Sequence, residues 1–379
     1  MKFSVAYNGD LDLIHRLSEY KSVKHIYGVM SNNQVGSGRR MKGLPPLGQE
    51  NIEQAVRIAK QYGMEFNYLI NGSCMGNREY YREERYHIEK LLDWIDGIGV
   101  TWITVANPII LQLCKKKHPK LKISLSSFAN VDNVERAKYF IDMGVDEITV
   151  RENINREFSL LERLSQLSSC EMQVLANQTC LYQCPLQFYH DNVMSHGSLV
   201  LSTDEKNDLP FDQCMFFCTY KKFSNPQNLI KARWIRPEDL SIYKKYGIHK
   251  FKITDRIKST DWLVKVVGAY HQQRYPGNLA DILNIIPFKD KRSAGVLQKG
   301  IHFNVDRNFR NAAVALLSMH VFIDNQGLDG FIKPFTEQSC QQKDCNTCQY
   351  CRKVGEKVLS FNAETATGVA VLRKQLSYI

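Results

Sequence analysis

No apolar run in this 379-residue chain approaches the ~18 residues that a membrane-spanning helix requires, so no membrane span is expected. The opening stretch Met1-Lys2-Phe3-Ser4-Val5-Ala6-Tyr7 reads as a strand, not as the apolar core of a signal peptide. No glycine-rich turn follows that strand, which counts against a nucleotide-binding doubly wound sheet. His-Glu-x-x-His and Gly-x-Ser-x-Gly are both missing, so a zinc-water protease and a nucleophile-elbow hydrolase lack their sequence signatures. A radical-SAM arrangement needs a third cysteine two residues beyond a Cys-x3-Cys pair, and position 187 is Gln.

What the chain does have is cysteine in clusters. Eight of eleven fall into two sets: Cys180-x3-Cys184-Pro185 with Cys214-x3-Cys218, and Cys340-x4-Cys345-x2-Cys348-x2-Cys351. Cys74, Cys114 and Cys170 stand alone. An odd count in a chain this long argues for free thiols in a reducing compartment, hence a cytoplasmic protein. Thiolates at such spacings are soft ligands that converge on one centre without a long loop-closure cost. For the first set, four thiolates fit tetrahedral zinc or a [4Fe–4S] cluster, and three intervening residues instead of two favour the cluster. The thiols of Cys180 and Cys184 are expected one helical turn apart, with His190 and His196 just beyond them. In the second set, Cys345, Cys348 and Cys351 have the spacing of a bacterial ferredoxin loop, with Cys340 as fourth ligand and zinc as the competing metal.

The net charge of +11 admits a nucleic acid, an acidic metabolite or simple solubility. Local basic clusters do not decide among them. Lys115-Lys116-Lys117-His118-Pro119-Lys120 reads as a solvated loop between a helix and a strand, and Arg78 to Tyr86 as a solvated helix face of paired charges. Arg39-Arg40-Met41-Lys42 has the chemistry to hold a phosphate, but the glycines before it are too few for a P-loop.

One local pattern recurs four times. A glycine closes an amphipathic helix and a β-branched run follows, at Gly63, Gly99, Gly144 and Gly247. Further strands are predicted at Phe3 to Tyr7, His25 to Met30, Leu121 to Leu125 and Met172 to Ala176. About eight strands alternating with helices over some 250 residues predict a TIM-like (β/α) barrel, with an open doubly wound sheet as the alternative. The expected organisation is a barrel over 1–275 carrying the first cysteine set and a C-terminal cysteine-rich extension over 276–379.

Barrel active sites sit at the C-terminal strand ends, and those ends are polar here. They read Asn8-Gly9-Asp10, Asn71-Gly72, Asn107-Pro108, Ser126-Ser127, Arg151-Glu152-Asn153, Asn177-Gln178 and Asp255-Arg256. Singly these are ordinary turn residues. Charged pairs directly after buried strands point into a barrel mouth, which makes Glu152, Asp255 and Arg256 candidate catalytic residues. Arg236 stands before Pro237-Glu238-Asp239, a helix start, and is the candidate to grip a substrate carboxylate or phosphate. Its bland alternative is an ion pair with a nearby acid.

The stretch Val174-Leu175-Ala176-Asn177-Gln178-Thr179-Cys180-Leu181-Tyr182-Gln183-Cys184-Pro185 resembles the collagenase-like peptidase family, the U-type peptidases of unassigned mechanism. So do Trp234-Ile235-Arg236-Pro237-Glu238-Asp239-Leu240, Phe251-Lys252-Ile253-Thr254-Asp255-Arg256 and the terminal Asp344-Cys345-Asn346-Thr347-Cys348-Gln349-Tyr350-Cys351. The resemblance implies a β/α barrel and a [4Fe–4S] cluster on Cys180, Cys184, Cys214 and Cys218. Related members act in oxygen-independent hydroxylation for ubiquinone synthesis, or hydroxylate tRNA or rRNA bases with prephenate as oxygen source. Those branches space their cysteines more widely, so the substrate does not carry over.

The leading expectation is an iron–sulfur enzyme performing an oxygen-independent hydroxylation, or a related redox modification, of a small molecule or nucleobase. It would carry one or two [4Fe–4S] clusters and depend on an electron donor or partner protein. A non-catalytic iron–sulfur subunit is the second reading, and a peptidase the third.

Overall fold

The computed structural model describes residues 1–31, 33–38, 46–167, 169–199, 212–285 and 306–377. The basic cluster at 39–42 lies outside them. Eight parallel strands form a closed barrel in sequence order. They are β1 (Lys2–Ala6), β2 (Val23–Gly28), β3 (Glu65–Ile70), β4 (Trp102–Val105), β5 (Lys122–Leu125), β6 (Glu147–Thr149), β7 (Glu171–Leu175) and β8 (Lys250–Ile253). Pairing of Phe3 with Phe251 and Val5 with Ile253 closes the ring. The eight-stranded barrel read from the sequence is therefore the fold, and an open sheet is excluded.

Single helices cross between the first seven strands: α1 (Leu11–Leu17), α2 (Gln49–Gln61), α3 (Arg82–Gly97), α4 (Pro108–Lys117), α5 (Val134–Asp142) and α6 (Phe158–Ser165). Gly63, Gly99, Gly144 and Gly247 all have positive φ, between 70° and 90°, the left-handed closure that only glycine adopts at little cost. The lysines at 115–117 form the last turn of α4 and not a loop. There Lys115 pairs with Asp146 at 3.1 Å and Lys117 with Glu89 at 3.1 Å, cations suited to a helix C-terminus.

Strand alternation sorts the core. Phe3, Val5, Ile103, Ile123, Val174, Phe251 and Ile253 are buried in the apolar core. The alternate positions are polar and satisfy one another across the barrel. Gln173 donates to Ser4 at 2.9 Å, Thr149 to Gln173 at 3.1 Å, and Thr104 to Asn67 at 2.7 Å. Lys250, fully buried, pairs with the carboxylate of Glu147, which also accepts from Ser124 at 2.5 Å.

The crossover from β7 to β8 is much longer than the others. It carries α7 (Gln187–His196), α8 (Gln213–Ser224), α9 (Gln227–Lys231) and α10 (Leu240–Lys245), and α11 (Thr260–Gln272) follows β8. The C-terminal part holds α12 (Arg307–Ser318), β9 (Val321–Ile323), α13 (Lys333–Glu337), α14 (Cys345–Cys348), α15 (Tyr350–Val358), β10 (Leu359–Phe361) and α16 (Glu364–Leu376). Strands β9 and β10 pair antiparallel. Among the described residues no helix is long and apolar enough to cross a membrane.

Candidate active site at the barrel mouth

The C-terminal strand ends surround a cavity of about 150 Å3. Asn71, Ser126, Arg151, Glu152, Gln178, Asp255 and Arg256 all line it, together with Cys180. Other polar strand ends serve the local turns. Asp10 and Asn107 cap α1 and α4 by accepting from Asp12 and Ile109 backbone N–H groups, the ordinary use of such residues.

Arg151, 4 % exposed, donates from Nη1 to Asp191 Oδ2 at 2.7 Å, and its Nε lies 3.4 Å from Glu152 Oε2. Gln187 fixes the other oxygen of Glu152 at 2.6 Å. One buried cation thus holds two buried carboxylates. Burial raises the Asp191 carboxyl to about 6, although Arg151 opposes the shift. Lys252 lies over the Tyr27 ring at 4.3 Å, and burial lowers its ammonium to about 8. Asp255 Oδ2 accepts from Asn284 at 3.2 Å, and Arg256 donates to Ser37 Oγ at 3.3 Å. The mouth therefore combines fixed charges of both signs with two groups that exchange protons near neutral pH.

The first cysteine set is carried by two elements, and Cys180 is the member that lines this cavity. Cys180 and Cys184 lie on the loop after β7, and this segment is not helical. Gln183 takes a left-handed conformation, φ 53°, which breaks the expected helical turn between them. Helical spacing does hold in α8, where Cys214 and Cys218 lie one turn apart. Cys218 interacts electrostatically with both Cys180 and Cys184, so the fold sets α8 beside the 180–184 loop. Burial pushes the Cys180 thiol well up, and Glu152 adds to this. Gln178 donates to Cys180 Sγ at 3.4 Å. His190 lines the cavity, 3.3 Å from the Asp212 carboxylate, while His196 is exposed.

The donor chemistry suits a thiolate-bound metal–sulfur group. All four thiols are free, and the cations Arg151 and Lys222 both act on Cys184. Lys222 is 4 % exposed and donates to Thr179 at 3.3 Å. Among the described residues no three His, Cys, Asp or Glu side chains converge on a single ion. Tetrahedral zinc would need its sulfurs within about 4 Å of one another, whereas a polynuclear cluster spreads them wider.

Arg236 does not reach the mouth. Its guanidinium, 2 % exposed, donates to Asn325 Oδ1 at 2.9 Å, Leu328 O at 2.5 Å and Asp329 Oδ1 at 2.7 Å. It ties the barrel to the C-terminal part through an ion pair with Asp329, the alternative the sequence offered for it. Pro237 does start a helical turn as expected, with Glu238 and Asp239 in it. Sequence reasoning missed Lys252 and Asp191. The signal for Lys252 was its place in Lys250-Phe251-Lys252-Ile253, where a lysine on the inner face of a buried strand has to find a purpose. Asp191 carried no such signal.

The uncharacterized protease MJ1657 of Methanocaldococcus jannaschii is 28% identical over 325 residues, covering 86% of each chain. The tRNA hydroxylation protein P1 of Bacillus subtilis is 21% identical over 249 residues, 59% of this chain and 52% of that protein. The solved U32 peptidase Mk0906 matches with a TM-score of 0.49 and 18% identity, covering 67% of this chain and 93% of that one. The family model of Peptidase family U32 matches residues 37–275, more than half of the chain, and the chain belongs to that family.

Proposed function

We propose that the barrel mouth is the reaction site of an iron–sulfur enzyme performing an oxygen-independent hydroxylation, or a related redox modification, of a small molecule or nucleobase. The observation that carries this reading is Cys180 in the wall of a cavity lined by Arg151, Glu152, Lys252 and Asp255, with Cys218 of α8 near enough to act on both Cys180 and Cys184. A [4Fe–4S] group on Cys180, Cys184, Cys214 and Cys218 would supply single electrons or a Lewis-acidic iron beside the cavity. The chain's own groups do the rest. Arg256 and Lys252 suit the carboxylate of an organic acid serving as oxygen source. The Arg151–Glu152–Asp191 cluster keeps the wall beside Cys180 charged and rigid. Lys252, at about 8, can pass a proton to or from a bound hydroxyl. The tRNA hydroxylation role named for the Bacillus subtilis relative supports a nucleobase among the candidate substrates.

The test is iron and acid-labile sulfide content, with EPR, on protein purified without oxygen, run beside a Cys180→Ala/Cys184→Ala variant. Nucleoside mass spectrometry of RNA from cells with and without the gene completes it. Loss of about four irons in the variant, with loss of a hydroxylated product, is the expected result. Iron that is absent or indifferent to these cysteines sinks the reading. Proteolysis that survives the double substitution would put the peptidase reading in its place.

A further inference from the structure

Cys340, Cys345, Cys348 and Cys351 play no part in the barrel mouth. All four nevertheless line one cavity of about 120 Å3, with Arg233 and Tyr182 in its wall. Chain geometry gathers them. Cys345 and Cys348 are the first and last residues of α14, and Gln349 turns left-handed at φ 52°, so that α15 starts in a new direction with Cys351 in its first turn. Cys351 is 9 % exposed, whereas Cys348 is exposed, so the set runs from the core to the surface.

The second, independent observation is buried positive charge. Arg156 is fully buried. Its guanidinium donates to the carbonyls of Ile230 at 2.7 Å and Trp234 at 3.1 Å, and lies 4.6, 4.7 and 5.4 Å from the rings of Trp234, Phe331 and Phe335. Among the described residues no carboxylate stands within 4 Å of it. Arg233, 2 % exposed, has the Glu157 carboxylate 3.8 Å away, and its Nη2 has no hydrogen-bond partner among the described residues. The two buried guanidiniums thus have only Glu157 beside Arg233 and, acting on Arg156 from further off, Asp239, which Arg236 also shares. Buried charge that is poorly compensated is strongly unfavourable, and beside these acids the groups that can supply further counter-charge are thiols. Arg233 interacts with Cys340, and both arginines act on Cys351.

We infer that Cys340, Cys345, Cys348 and Cys351 form a second metal centre that takes a [4Fe–4S] cluster, whose negative charge is set against Arg156 and Arg233. Iron–sulfur chemistry is favoured over zinc because Cys345-x2-Cys348-x2-Cys351 has the spacing of a ferredoxin loop, and the four thiols line one cavity. The centre is distinct from the barrel mouth but touches it. Tyr182, between Cys180 and Cys184, stacks 3.8 Å from the Arg233 guanidinium and lines the second cavity.

The test uses the full chain purified without oxygen. Iron, sulfide and zinc are measured for the parent protein, for Cys348→Ser/Cys351→Ser and for Cys180→Ser/Cys184→Ser. The C-terminal variant is expected to lose about four irons and four sulfides whatever the barrel-mouth pair does. Unchanged iron in that variant, or loss of zinc in place of iron, overturns the inference. Iron that falls only in the barrel-mouth variant leaves the proposed function standing and removes this centre. Should the C-terminal variant not fold, Arg156→Met keeps every cysteine. Without the neighbouring cation the midpoint potential of one cluster is expected to fall, and Arg156→Lys to restore it. A potential indifferent to both changes overturns the inference.

Discussion

The two cysteine regions solve the same electrostatic problem in opposite ways. At the barrel mouth the thiols come from a loop and from α8, far apart in sequence, and stand among charges of both signs. Arg151 already has Glu152 and Asp191. In the C-terminal region the thiols fall within residues 340–351, and the buried charge beside them is positive with little to balance it. The mouth is balanced before anything binds there and offers an open cavity to a substrate. The C-terminal region leaves its buried arginines with Glu157 at 3.8 Å from Arg233 as the nearest ion pair among the described residues. The difference is what motivates assigning reaction to the first place and a purely metal-holding role to the second as proposals.

The largest effect should come from removing the central cation at each place. Arg151→Met leaves Glu152 and Asp191 buried without their partner, and about 3–5 kcal/mol of stability should be lost in denaturant titration. Arg156→Met in metal-free protein abandons carbonyls and rings but no carboxylate, so it should cost less. Equal losses would break the comparison.

Proton linkage sharpens the account of the mouth. The Asp191 carboxyl, raised to about 6, contributes stability that is complete below its ordinary value near 3.8 and is lost as pH rises through about 6. Ionised Asp191 is nevertheless the form that pairs fully with Arg151. The acid limb of a kcat/KM profile should therefore fall near pH 6 and disappear in Asp191→Asn. Lys252 runs the other way. Its ammonium is lowered to about 8, so burying it costs stability at neutral pH, and that cost fades as pH climbs from about 8 toward its ordinary value near 10.5. Lys252→Met should consequently stabilise the fold at pH 7 while impairing turnover, as thermal melts at pH 7 and 10 would show.

The smallest effect tests the contact between the two regions. Tyr182→Ala removes the ring over Arg233 and should cost about 1 kcal/mol. It should also alter the EPR lines assigned to both cysteine sets. A change confined to one set would show the regions to be independent.

Much of this was legible in the chain. All eight barrel strands were: four follow a glycine that closes a helix, and the other four are short apolar runs. The mouth residues Glu152, Asp255 and Arg256 were legible too, because a charged pair directly after a buried strand has few other places to go. The fate of Arg236 was not. Its partners Asn325, Leu328 and Asp329 lie about ninety positions away, and nothing near Arg236 distinguishes an arginine that grips a substrate from one that fastens a domain. The loop at 180–184 also escaped, since a three-residue gap suits a helix equally well until Gln183 turns left-handed.

The sequence by itself determined the barrel, the positions of its polar strand ends and the grouping of eight cysteines, because helix closure, strand alternation and ligand spacing act over a few neighbouring residues. Tertiary structure alone decided which charges meet. It set Arg151 against Asp191, seated Arg156 on backbone carbonyls and aromatic rings, and placed Tyr182 on Arg233. Such pairings depend on barrel closure and on how the long β7–β8 crossover packs, and a buried charge takes whichever partner that packing delivers.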